Sequence, residues 1–148
     1  MVEETFSILH KTRLKDMYRI AVILLTALLL ASCGRKETLA DIEARAGATA
    51  VEYYRLLQEG KYADFVAGLE YSDSLPEDYR SQLADNAAMF IHQQNTEHRG
   101  IKEITLERCK ADASDMTAVA HLNILYADSV KEVVCVPLVM QDKIWRMK

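Results

Sequence analysis

Basic clusters are missing from this chain. Its 18 Lys and Arg are outnumbered by 22 Asp and Glu, for a net charge of −4. No stretch concentrates the positive charge, so the electrostatic footprint of nucleic-acid binding is absent. The same balance gives anionic lipid headgroups little to attract. Long apolar runs are missing too. Residues 20–31, from Ile20 to Ala31, are uncharged but too short for a span that needs about 20 apolar residues. There is no phosphate-binding loop, no nucleophile elbow, no His-Glu-x-x-His pair, no internal repeat and no low-complexity stretch. Beyond the apolar run the histidines are His92, His98 and His121. His92 and His98 do not have the spacing of three or four that puts two ligands on one helix face, and no metal or other cofactor is expected.

The short apolar run has the length of a signal-peptide core. Lys11, Arg13, Lys15 and Arg19 supply positive charge before it, and the small Ala31 and Ser32 follow. The tetrapeptide Leu30-Ala31-Ser32-Cys33 resembles the lipobox of bacterial lipoproteins. That resemblance implies cleavage before Cys33, a diacylglycerol on its sulfur and an acylated new N-terminus. Several acyl chains make a stable anchor, at about 0.8 kcal/mol per buried CH₂. Residues 1–32 then form the signal peptide and 33–38 a lipidated tether. Glu3, Glu4 and Asp16 are unusual before such a core, so translation starts either at Met1 or at Met17. By the same resemblance the protein belongs to the envelope of a Gram-negative-type bacterium. Gly34 stands where many inner-membrane lipoproteins carry Asp, which favours the outer membrane, facing the periplasm.

Residues 39–148 suit one modest core. Leu39, Ile42, Ala46, Ala50, Tyr53 and Leu57 recur at helical spacing, and Gly60 is a natural stop. Tyr62, Phe65, Val66 and Leu69 predict a shorter helix. Ser74-Leu75-Pro76-Glu77 reads as a capping box opening a third helix. Its buried side is expected at Tyr79, Leu83, Ala87, Phe90 and Ile91, and its polar end, Gln93 to Arg99, is expected to fray. The period then changes to two. Ile104 and Leu106 mark one strand, residues 117–126 a second, Val130 to Met140 a third and Ile144 to Lys148 a fourth. The third is apolar on both faces, so it is expected to be central or covered on both sides. Pro137 predicts a bulge or an unpaired edge within it.

Three helices followed by four antiparallel strands predict an α+β domain, with the helices packed on a curved sheet. Two segments carry a resemblance. Residues 50–62, Ala-Val-Glu-Tyr-Tyr-Arg-Leu-Leu-Gln-Glu-Gly-Lys-Tyr, look like a long helix breaking at a glycine into a short one. Residues 136–147, ending Gln141-Asp142-Lys143-Ile144-Trp145-Arg146-Met147, look like a closing hairpin without its usual turn glycine. Together they resemble the cystatin-like, nuclear transport factor 2-like superfamily, a cone of helices on a sheet. The superfamily includes ketosteroid isomerases and polyketide cyclases, which place an acid or a His inside the cone.

Inward parity on the second strand offers Ala118, Ala120, Leu122, Ile124 and Tyr126, none of them a general base at neutral pH. Arg108 shares parity with Ile104 and Leu106, and Trp145 and Tyr126 face the same space. The face is expected to be plain core or else an apolar pocket lined by Ala118, Ala120, Tyr126, Trp145 and Arg108. The outward face mixes Val119, Leu125, Val133, Cys135 and Val139 with Thr105, Thr117, His121 and Asn123. Such a half-apolar face suggests an interface, with a second copy or with another envelope protein. Cys109 and Cys135, one strand removed from each other, are expected to remain free and mostly buried. Their separation is roughly 9.6 Å, and a disulfide tolerates about 7 Å. The expected function is non-enzymatic binding of a small apolar ligand or a protein. The alternative is a small enzyme of the isomerase or cyclase type.

Overall fold

Thr38 opens the first helix. Its hydroxyl accepts the Asp41 N–H at 3.2 Å, and the Asp41 carboxylate accepts the Thr38 N–H at 3.0 Å. This reciprocal pair is a capping box. The computed structural model describes residues 37–148, which form one compact unit. The expected signal peptide, both candidate starts, Cys33 and residues 34–36 of the expected tether lie outside the described residues.

Helix α1, Leu39–Gln58, buries Ile42, Ala46, Gly47, Ala50 and Leu57. Gly60, at φ 74°, supplies the left-handed residue that ends it. Helix α2, Tyr62–Ala67, follows, then a 3₁₀ turn at Ser72–Ser74 and helix α3, Glu77–His98. The capping box expected at Ser74 does not form. Pro76 pushes the residue before it out of the helical region, and Leu75 is extended at φ −80°, ψ 141°. The helix therefore starts after the proline, with no side-chain cap. Its far end does not fray either. His98 completes it, and its ring nitrogen Nδ1 donates to Asp128 at 2.8 Å. Of the side expected to be buried, Ala87 and Ile91 are, whereas Tyr79 and Phe90 remain exposed.

Four antiparallel strands complete the domain in the order β1 (Ile101–Asp112), β2 (Thr117–Tyr126), β3 (Lys131–Gln141) and β4 (Ile144–Met147). Strand β1 carries two irregularities against β2, at Lys102 and at Glu107. Each extra residue flips the alternation that follows it. Strand β3 lies between β2 and β4, but only one of its faces is covered. Its central place is the first of the two expected alternatives; the second, cover on both faces, does not hold, because Val133, Cys135 and Pro137 are exposed. Pro137 causes no register shift; it pairs with Val119. Its carbonyl accepts the Lys148 N–H at 3.0 Å, so its missing donor faces the side where β4 has ended. Asp142 and Lys143 turn the last hairpin at φ 50° and 66°. Beyond β4, Met147 exchanges backbone hydrogen bonds with Gly68 and Glu70 at 2.9 and 2.6 Å. That contact covers the sheet edge.

The main core lies between α1 and the inner face of the sheet. It joins Ile42, Ala46 and Ala50 to Ile104, Ala118, Ala120, Leu122, Val136, Leu138, Trp145 and Met147. A smaller cluster, Leu57, Ala87 and Ile91, ties α3 to the end of α1.

Candidate ligand-binding cleft

Small residues close the space between α1 and the sheet. Ala46 and Ala50 face Ala118 and Ala120, and all four are essentially buried. A Cβ added at Gly47 would meet Leu106 Cδ2 at 2.5 Å and Cys109 Cβ at 3.3 Å. The helix thus lies directly on β1 and β2. The alanines admit this close approach instead of leaving room for a ligand.

The opening is displaced toward the three helices. A cleft of about 350 Å³ is lined by Tyr54 and Leu57 of α1, Phe65 and Val66 of α2, Leu69, and Leu83, Asn86, Ala87 and Phe90 of α3. Tyr54 and Phe65 meet edge to face, with centroids 6.3 Å apart. No lining residue is charged, and Asn86 supplies the one side-chain amide.

Behind Tyr54 sits a polar group on the inner sheet face. Glu132 pairs with Ile124 across the strands and shares its inward direction. The Tyr126 hydroxyl donates to Glu132 Oε2 at 2.7 Å, while Tyr126 itself is 1% exposed. Burial, then the hydrogen bond to Glu132 and its charge, push the Tyr126 phenol far above its ordinary value. Burial, with the Glu132 charge second, also raises Tyr54. The His98 ring stacks on Tyr126 at 4.6 Å. Its hydrogen bond holds the Asp128 carboxyl below the usual range, with help from the Val130 N–H.

Four of the five residues named for the pocket alternative form plain core, the other reading of this face. Ala118, Ala120, Tyr126 and Trp145 are packed in the interior. Arg108 is not on the inner face at all. The irregularity at Glu107 reverses the parity, so Arg108 pairs with outward His121 and is exposed, whereas Cys109 turns inward. None of the five lines the cleft. The same reversal puts Cys109 and Cys135 on opposite faces. Both are free, as expected, but Cys135 is exposed. The Trp145 indole N–H is buried without a partner among the described residues. Sequence reasoning passed over Tyr54, Asn86 and Glu132. Glu132 was legible: counting back by twos from Leu138 and Val136 reaches it. Among the described residues no three His, Cys, Asp or Glu side chains come together as metal ligands, and no helix is long and apolar enough to cross a membrane.

By sequence, no family model matches the chain, and no curated protein is significantly similar to it. By structure, it resembles a Campylobacter jejuni protein solved at 2.00 Å and described as a "Putative NTF2-like transpeptidase". The TM-score is 0.54 at 14% identity, over 68% of this chain and 94% of the other. The fold is nuclear transport factor 2-like. At that identity the likeness extends to architecture: helices followed by a four-stranded antiparallel sheet, as the chain order predicts. The superfamily resemblance of residues 50–62 and 136–147 thus holds at the level of fold, with α1 breaking at Gly60 and the last hairpin turning at Asp142-Lys143.

Proposed function

We propose that this domain binds a small apolar ligand in the cleft among α1, α2 and α3. The observation that carries the proposal is a cleft of about 350 Å³ with no charged residue in its lining. Apolar burial at about 25 cal/mol per Å² supplies affinity there, less the ordering costs. Asn86 offers one hydrogen bond to a neutral polar end. The lipobox-like Leu30-Ala31-Ser32-Cys33 supports a protein held to the membrane through lipid on Cys33, in the envelope and facing the periplasm. The exposed Val119 and Val133 of the outer sheet face suit a second copy or another envelope protein. The test is fluorescence titration with N-phenyl-1-naphthylamine. Leu83→Trp, which fills the cleft, should weaken binding about tenfold or more, equivalent to at least about 1.4 kcal/mol. Val133→Ser on the outer face should leave it unchanged. Equal binding by wild type and Leu83→Trp would refute the cleft as the site.

Glu132 favours a second reading, a small acid–base enzyme, because it puts a carboxylate on the inner face, 2.7 Å from a phenol. The non-enzymatic proposal stands ahead of it because Glu132 does not line the cleft, and the one titratable group that does, Tyr54, has its phenol raised. Transpeptidation, the activity in the structural neighbour's description, requires a nucleophile. The cleft lining contains no Ser, Thr, Cys or Lys. Any turnover lost in Glu132→Gln would decide for the enzyme.

A further inference from the structure

Helix α3 is held unequally along its length. At its C-terminal end, His98 Nδ1 bonds Asp128 and the His98 ring stacks on Tyr126. The Asp128 N–H reaches the His98 carbonyl at 3.3 Å, and the Ala127 N–H reaches the Gly100 carbonyl at 2.9 Å. Ile91, beside this end, is buried. The N-terminal half has none of these attachments. No side chain caps it, and only Ala87 is buried between Glu77 and Phe90. Tyr79 and Met89 are exposed at 49% and 70%. Two gaps run beneath this half. One is the ligand cleft. The other is a recess of about 250 Å³ between Ala63, Val66 and Ala67 of α2 and Glu77, Arg80, Ser81 and Ala84 of α3. The two residues after the helix, Arg99 and Gly100, both lie at positive φ, 61° and 93°, and are the whole link to β1.

We propose that α3 is a lid, pinned to the sheet at His98 and lifting at its N-terminal half to admit ligand to the cleft. Lifting that half uncovers Leu57 and Val66, which are buried beneath it, but among the described residues it breaks no hydrogen bond to the sheet. Lifting the other half would break the His98–Asp128 pair, the Tyr126 stacking and the Ile91 packing together. The proposal rests on the ligand reading for its purpose, but not for its mechanics.

Hydrogen exchange on the full chain tests both separately. The first four amides of a helix lack intrahelical partners, so the comparison begins at Ser81. Amides 81–90 should exchange at least about tenfold faster than 91–98, as expected of a locally opening unit. N-phenyl-1-naphthylamine should slow 81–90 selectively. His98→Ala should bring 91–98 up to the rate of 81–90 while leaving β2 protected. Uniform exchange from 81 to 98 would overturn the lid, whether or not the probe binds. A graded helix that the probe does not protect would keep the lid and remove the ligand reading.

Discussion

Helices α1 and α3 are nearly equal in length, 20 and 22 residues, but they are used in opposite ways. Helix α1 carries Ala46, Gly47 and Ala50 on its inner side and lies flat on the sheet. Helix α3 buries only Ala87 and Ile91 and stands off, leaving the cleft. Small residues, not large apolar ones, decide which helix reaches the sheet. Close approach forfeits side-chain area but lets two backbones pack at interior density. Helix α1, which reaches the sheet, buries five residues and α3 only two, and the candidate cleft falls under the helix that buries fewer.

Overpacking should break this contrast most strongly. Ala50→Leu forces extra volume into the seam between α1 and the sheet and should cost about 1–3 kcal/mol. Ala84→Leu on α3 faces the recess beside α2 and should stay within about 0.5 kcal/mol. Urea unfolding of the two variants measures the difference directly. Equal losses would mean that α3 packs as tightly as α1.

Much of α1 was legible in the sequence because one stripe of apolar and small residues faces one surface. Strand β2 was legible for the same reason: its strict alternation from Ala118 to Tyr126 matches its burial residue by residue. Strand β1 was not. Glu107 looks like an ordinary outward-facing polar position, and nothing in its chemistry announces an extra residue. That is why Arg108 was expected to share the inward direction of Ile104 and Leu106. The cleft was hidden for a different reason. It lies where three helices meet, and helical periodicity tells which face is apolar without telling how far apart the faces stand. The start of α3 was misread because the pattern Ser-x-x-Glu outweighed the proline inside it.

The caps provide a sharper and smaller test. Thr38→Ala removes the hydroxyl that accepts the Asp41 N–H and donates to its carboxylate, while keeping the backbone half of the box, and should cost about 1 kcal/mol. Ser74→Ala should cost close to nothing through capping, because Ser74 caps no helix. Melting temperatures of the two variants distinguish them. A comparable loss in Ser74→Ala would restore the Ser74–Glu77 capping box that the backbone at Leu75 and Pro76 here forbids.

The smallest effect separates the two helices by pH. Asp41 at the start of α1 is held below the ordinary carboxylate range, chiefly by its side-chain hydrogen bond with Thr38. Asp128, which pins the end of α3, is held low chiefly by its hydrogen bond with His98. A carboxylate with a depressed folded-state pKa stabilises the fold at pH values above its unfolded value of about 3.9. That stabilisation is lost as pH falls through the folded value. Acidification from pH 6 to pH 3 should therefore lower the melting temperature, and Asp41→Asn and Asp128→Asn should each flatten part of that slope. The distinction lies in what loosens. Protonating or replacing Asp128 frees the lid's anchor, so exchange of amides 91–98 should rise while α1 stays protected. Replacing Asp41 should instead loosen only the first turn of α1. If Asp128→Asn left amides 91–98 as protected as in the wild type at neutral pH, the stacking on Tyr126 and the packing of Ile91 would be sufficient anchors, and the contrast between the helices would rest on packing alone.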